Sequence, residues 1–260
     1  MRIFVIALSL LAVLSTVNAA NAEQRVAFVV GNGAYKYAPK LENPVDDADA
    51  MASLLRGIGF DVIEGTNLNH EEIAEKLLEF GKKAGGADIA AFYYAGQGIA
   101  VNGTNYLLPV DADIKSAMDV KLSAISFDDV LDRTMGEAKL RLVFLDASRN
   151  NPFASRVASI SRGRAVITDP DPKPEQGTLI AFATGSGEVA LDGEKGAHSP
   201  FTRALLANLA KPGVEIQQAM TMVRAQVNEE TNKGQLPWGH TYLLGPVYLN
   251  PLQAPGGSDK

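Results

Sequence analysis

Ala87-Asp88-Ile89-Ala90-Ala91-Phe92-Tyr93-Tyr94-Ala95-Gly96-Gln97-Gly98 is apolar from Ile89 to Ala95 and then ends on one polar side chain between two glycines. An unbroken apolar run shows no polar alternation, so this strand is expected to be covered on both faces, as strands of parallel sheets are. Outward from it the same signature recurs at Arg25–Gly31, Lys139–Ala147 and Gly177–Thr184, with a shorter strand at Phe60–Ile63. Between these runs the apolar spacing changes to that of helices. Ala48, Met51, Leu54, Leu55 and Ile58 mark a helix over 46–58, closed by Gly59. Asn69 caps a helix over 70–83, with Glu71 and Glu72 in its first turn. Ser126 caps another over 127–135, and two more are expected over 200–209 and 214–231. Strands alternating with helices predict an α/β fold in which a central, mostly parallel sheet of about six strands carries helices on both faces. Asn102-Gly103 predicts a tight hairpin between 99–101 and 104–108, and the last strand is expected over 241–249.

The chain has 260 residues and no cysteine. It therefore has neither a thiol nucleophile nor a thiolate metal site. The opening residues MRIFVIALSLLAVLSTVNAANA carry one Arg, an apolar run, and an A-x-A pattern at Ala20-Asn21-Ala22. That is the layout of a signal peptide over 1–22, cleaved after Ala22, and a periplasmic or secreted location is expected. The run is shorter than the roughly 20 residues a membrane span needs, so no stable span is expected after cleavage. Arg2 is the only charged residue removed, so the formal charge goes from −6 to −7. That charge argues against a nucleic-acid partner, which needs a basic face to neutralise phosphates. One domain over 23–250 and a disordered tail over 251–260 are expected. The segment 154–176, with Arg156, Arg162, Arg164, Lys173 and three prolines, reads as a mobile surface loop inside that domain.

Ligands of open parallel sheets bind beyond the carboxyl ends of the strands. Two ends are unusual here. One is Tyr94-Ala95-Gly96-Gln97-Gly98, and the other is Leu145-Asp146-Ala147-Ser148-Arg149-Asn150-Asn151-Pro152-Phe153. If the two strands are neighbours, Gln97 and Ser148 share one rim. With these stand RVAFVVGNGAYKYAPKLENPVDDADAM, NYLLPVDA, GTLIAFATG and HSPFTRALL. Together, and in this order, these segments resemble the bacterial caspase-like proteins of the metacaspase group (peptidase C14). The resemblance covers nearly all of the chain after residue 22.

The resemblance implies a caspase-like three-layer sandwich and a site at those two strand ends. Active members of the group carry His where this chain has Gln97 and Cys where it has Ser148. The catalytic positions are thus Gln97 and Ser148, both replaced. A Cys–His enzyme needs an ionisable thiol and an imidazole that moves protons. Gln97 has no titration in the useful range, and a positioned base is worth about 10²–10⁴ in rate. The resemblance also implies backbone donors to an oxyanion at Gly98 and Ser148. It implies an acidic pocket for Arg or Lys at Asp146 and Asp47, with Ala95 where Ser is common. The expectation is an exported pseudo-peptidase with a groove for a peptide or protein bearing basic residues, and no cofactor or metal. Two alternatives stay open. One is an Arg/Lys-directed endopeptidase carried as a dyad mutant, and the other a weak Ser148-dependent hydrolase.

Other readings of the same residues are plainer. Ser148 lacks the G-x-S-x-G elbow of serine hydrolases. Asp46, Asp47 and Asp49 also suit a helix N-terminus electrostatically. Gly31-Asn32-Gly33 has Lys36 where a dinucleotide loop needs its third glycine. His70 and His240 read as a solvated and a structural residue, which leaves His198 as the one histidine placed to act as a substitute base.

Overall fold

The computed structural model describes residues 22–101, 104–148, 153, 177–185, 188 and 190–252. Of the expected leader (1–22) all but Ala22, the expected turn at Asn102-Gly103, the segment 154–176 and, of the expected tail (251–260), residues 253–260 lie outside these residues.

Six strands form the main sheet: β1 (Arg25–Gly31), β2 (Asp61–Thr66), β3 (Ile89–Val101), β6 (Leu140–Ser148), β7 (Thr178–Phe182) and β8 (Trp238–Thr241). Their order is β2-β1-β3-β6-β7-β8; the first five run parallel and β8 is antiparallel at the edge. β3 continues past the sheet and turns back through β4 (Thr104–Leu107), which pairs with the short β5 (Ile125–Ser126). The expected hairpin is therefore present on both sides of its turn.

Side chains of successive strand residues point to opposite faces, and the core divides accordingly. Ala27, Val29, Ala91, Tyr93, Leu142 and Phe144 pack on one face. There they meet α1 (Pro44–Gly57), α5 (Pro200–Asn208) and α6 (Ile216–Glu230). Phe28, Val30, Phe92, Tyr94, Val143 and Leu145 pack on the other. There they meet α2 (His70–Ala84) and the segment that starts with α4 (Phe127–Asp129). Both faces are dry, which is why the strands read as unbroken apolar runs. α2 begins with a full capping box: Asn69 accepts from the Glu72 N–H while the Glu72 carboxylate accepts from the Asn69 N–H.

Two expectations changed, and one helix was not expected. The helix over 127–135 is α-helical only at its start and continues as a π turn, Val130–Thr134, where the Thr134 hydroxyl donates to the Val130 carbonyl. A helix not read from the sequence, α3 (Ala117–Ser123), has only Val120 buried and so lacks an apolar stripe. The last strand is Trp238–Thr241 rather than 241–249. The ladder ends at Tyr242, opposite the start of β7, and Pro246, which has no N–H to donate, does not extend it.

The sequence order of the strands reverses between β1 and β3, which is where such sheets open a crevice. Gly31 ends β1 there. A Cβ on it would lie 2.1 Å from the Pro44 carbonyl oxygen, so its absence lets the first turn of α1 sit on the strand end. That contact carries Asp47 to the rim.

Candidate active site

β3 and β6 are adjacent, and Gln97 pairs in register with Ser148, as Ala95 does with Asp146. The two strand ends singled out in the sequence thus share one rim. The backbone around Gln97 is held by buried phenols. The Gln97 N–H donates to the Tyr35 hydroxyl at 2.7 Å, and the Tyr94 hydroxyl donates to the Gln97 carbonyl at 2.7 Å. The Leu108 N–H donates to the same carbonyl. Since Leu108 and Gln97 make that antiparallel bond, the next residue, Gly98, directs its N–H away from β4 and towards the β6 side. Gly96 has no room for a side chain, since a Cβ would meet the hydroxyls of Tyr35 and Tyr94 at 2.6 and 2.7 Å.

Gln97 is buried, with 3% of the residue exposed. Its Nε2 donates to the Pro39 carbonyl at 3.3 Å, and its Oε1 has no partner among the described residues. This amide offers no group that titrates near neutral pH. Residues 149–152 and the 154–176 loop lie outside the described residues, so Ser148 is placed by its backbone register.

Beside Gly96 the rim opens into a small cleft lined by Asp47, Ala95, Asp146, Asp192 and Ser199, together with Leu41 and Pro44. Three elements meet there: Asp47 from α1, Asp146 from β6, and Asp192 with Ser199 from the segment before α5. Asp146 accepts hydrogen bonds from the hydroxyls of Ser199 and Thr202, the latter at 2.8 Å, and Thr202 is also bonded to Tyr93 at 2.6 Å. Asp47 is bonded to His198 Nδ1 at 2.8 Å and faces the Ser199 N–H. Burial pushes the Asp146 carboxyl up to about 6, against the pull of its two hydroxyl donors. Burial, and then the negative charge of Asp146, push Asp47 up to about 8. Burial raises Asp192 as well. Carboxylates crowded and desolvated in this way favour a ligand that brings positive charge and N–H donors.

The structure therefore brings together Gln97, Ser148, Gly98, Asp146 and Asp47. The sequence reading missed Asp192, a loop residue without periodicity. His198 adopts a left-handed backbone (φ 59°) and is held against Asp47. His240 lies inside β8, in a row with Trp238 and Tyr242. His70 is exposed at the start of α2. The N–H groups of Gly33 and Ala34, which a phosphate would need, are given to the Asn67 side chain at 3.0 and 2.8 Å.

Comparison with known proteins agrees with this geometry. The family model described as caspase domain (peptidase C14) matches residues 24–248. The chain is 32% identical over 222 residues to the human mucosa-associated lymphoid tissue lymphoma translocation protein 1, and 33% identical to the mouse homolog. Each match takes in 85% of this chain, and the chain spans about a quarter (25%) of the length of these relatives. Among solved structures, caspase-1 from Spodoptera frugiperda superposes with a TM-score of 0.63 at 17% identity, over 89% of this chain and 92% of that one. That likeness is one of fold. With the sheet order, the paired strand ends and the family match in agreement, the chain belongs to the caspase domain family.

Proposed function

We propose that this chain is an exported caspase-like pseudo-peptidase, which holds a basic side chain of a peptide or protein at the Asp47–Asp146–Asp192 cleft without cutting it. The observation that supports this reading is the pair at the two strand ends, which the family resemblance makes the catalytic positions. Gln97, buried and without a titrating group, stands in register with Ser148 beside an intact acidic cleft. A serine hydroxyl is a much weaker acid than a thiol and needs a base beside it, and Gln97 is not one. The leader over 1–22 supports export; expression of the full chain should give a mature N-terminus at Glu23, read by N-terminal sequencing.

The test uses reporter peptides ending in Arg or Lys. The expected result is no turnover above background and no labelling by a serine-directed probe. Turnover that Ser148→Ala abolishes would overturn the inactive reading. Conversely, Gln97→His with Ser148→Cys restores the two missing groups and is expected to cut after Arg or Lys. A folded double variant with no such activity means that the groove has lost more than its dyad.

One observation favours the Ser148-dependent hydrolase as the second reading. His198 has a carboxylate behind it, Asp47 at 2.8 Å, which is how a general base is oriented. His198→Ala separates the two, because it removes turnover only if that pair serves Ser148.

A further inference from the structure

Asn43 occupies the N-cap position of α1, is fully buried, and makes no capping hydrogen bond. Asn is among the strongest N-cap residues, and an unused cap forgoes about 1 kcal/mol. The side chain is committed elsewhere. Its Nδ2 donates to the carbonyls of Asp192 at 2.6 Å and Glu194 at 2.9 Å, and its Oδ1 accepts from the Gly196 N–H at 2.8 Å. These partners are 149, 151 and 153 residues away in sequence. The preceding residue adds to the same hold: the Glu42 N–H donates to the Asp192 carboxylate at 3.0 Å. The Glu42–Lys195 ion pair beside it is largely exposed and contributes little. Gly193 (φ 83°) packs under the amide, and a Cβ on it would lie 2.4 Å from the His198 carbonyl oxygen.

Ser or Thr would cap this helix, but neither carries two donors and an acceptor. Only an amide can bridge three backbone groups of one loop in this way. The loop so held carries Asp192 and Ser199 into the cleft, opposite Asp47 on the helix that Asn43 begins.

We propose that Asn43 is a positioning residue of the acidic cleft, which fixes residues 192–196 on the first turn of α1 so that Asp192 completes a three-carboxylate seat for a guanidinium or ammonium group. This rests on the binding reading above.

The probe is agmatine, a guanidinium cation, titrated calorimetrically into the full-length mature protein well below its melting temperature. Asn43→Ser retains a good cap and loses the bridge, and is expected to weaken agmatine binding about tenfold, the order of one charge-assisted hydrogen bond. Asp192→Asn is expected to weaken it by a similar factor. If Asn43 acts through Asp192, the double variant weakens it no further than either change alone. A merely structural role lowers the melting temperature and leaves the affinity of the folded protein unchanged, and that result, or losses that multiply, overturns the proposal. Should Asn43→Ser fail to fold, Asn43→Asp serves instead. It keeps the acceptor for Gly196 and adds negative charge, so a purely electrostatic view expects tighter binding, whereas lost positioning expects weaker.

Amide hydrogen exchange at Gly196 separates this proposal from the one beneath it. Asn43→Ser is expected to accelerate that exchange and Asp192→Asn to leave it slow. If the natural protein does not bind agmatine, or Asp146→Asn binds it equally well, the binding reading falls. Faster exchange in Asn43→Ser then leaves the loop fastening standing, and unchanged exchange removes that too.

Discussion

Gln97 shows how a site residue departs from what stability alone selects. Its backbone is fixed on both sides by Tyr35 and Tyr94, while its side-chain Oε1 is buried with no partner among the described residues. A buried acceptor left unpaired costs about 1–3 kcal/mol. The lost half of the amide matters less, because Pro39, whose carbonyl Nε2 reaches, is exposed and water can replace that donor. Gln97→Leu keeps the volume and removes the orphan. It is therefore expected to stabilise the fold by about 1 kcal/mol, or roughly 2–4 °C in Tm for a domain of this size. Urea denaturation checks it. A clear loss of stability would mean that Oε1 has a bound partner in solution. The direction also separates Gln97 from ordinary core residues, where removing a polar group that is bonded destabilises.

Among the elements, α1 shows most plainly how packing delivers chemistry. Its first turn rests on Gly31 at the end of β1, and its buried face presents Asp47 to the cleft. Gly31→Ala forces a Cβ against the Pro44 backbone and the Ala48 Cβ, neither of which can yield without moving the helix. The expected loss is about 1–3 kcal/mol by overpacking, with weaker agmatine binding because Asp47 moves. Gly57→Ala, at the other end of α1, meets nothing within 4 Å and is the control; it is expected to be neutral or mildly stabilising in thermal melts. Elements of this kind were legible where both faces are dry: Arg25–Gly31 and Leu140–Ser148 announce themselves as unbroken apolar runs. They were illegible where burial is slight. α3 buries only Val120, and β8 alternates half-buried and exposed residues, so the apolar Leu243-Leu244 nearby looked more like a strand than β8 did. The site followed the same rule. Gln97, Asp146 and Ser148 stand out as polar ends of apolar strands. Asp192 and Asn43 do not, because their partnership spans about 150 residues of chain and leaves no periodic trace in either segment.

Across the whole molecule, the cleft links folding to pH, and under the proposed function it links both to binding. Asp47 and Asp146 have an ordinary value of 3.8, and burial raises them to about 8 and about 6 in the folded protein. The folded state thus holds protons that the unfolded chain has already released. Stability from these protons is fully present below pH 3.8 and is lost as pH rises, first through 6 and then through 8. The charges facing Asp47 reinforce this: Asp146 from β6, Asp192 from the loop and Asp46 from its own helix all oppose its ionisation. His198, at 2.8 Å, faces it from the same loop. The formal net charge of −6 adds self-repulsion of the same sign at alkaline pH. Tm is therefore expected to be higher near pH 5.5 than near pH 8.5, and Asp47→Asn is expected to flatten that decline by removing the later of the two titrations. A basic ligand reverses the balance, since its charge stabilises the ionised carboxylates. Agmatine is expected to raise Tm more at pH 8.5 than at pH 5.5, in proportion to its occupancy. At neutral pH its binding is expected to release protons, seen as a calorimetric heat that changes with the ionisation enthalpy of the buffer. Equal Tm at the two pH values in both the natural protein and Asp47→Asn would show that these carboxylates ionise freely when folded. The desolvated cleft, and with it the reason for a cation to bind there, would then be lost.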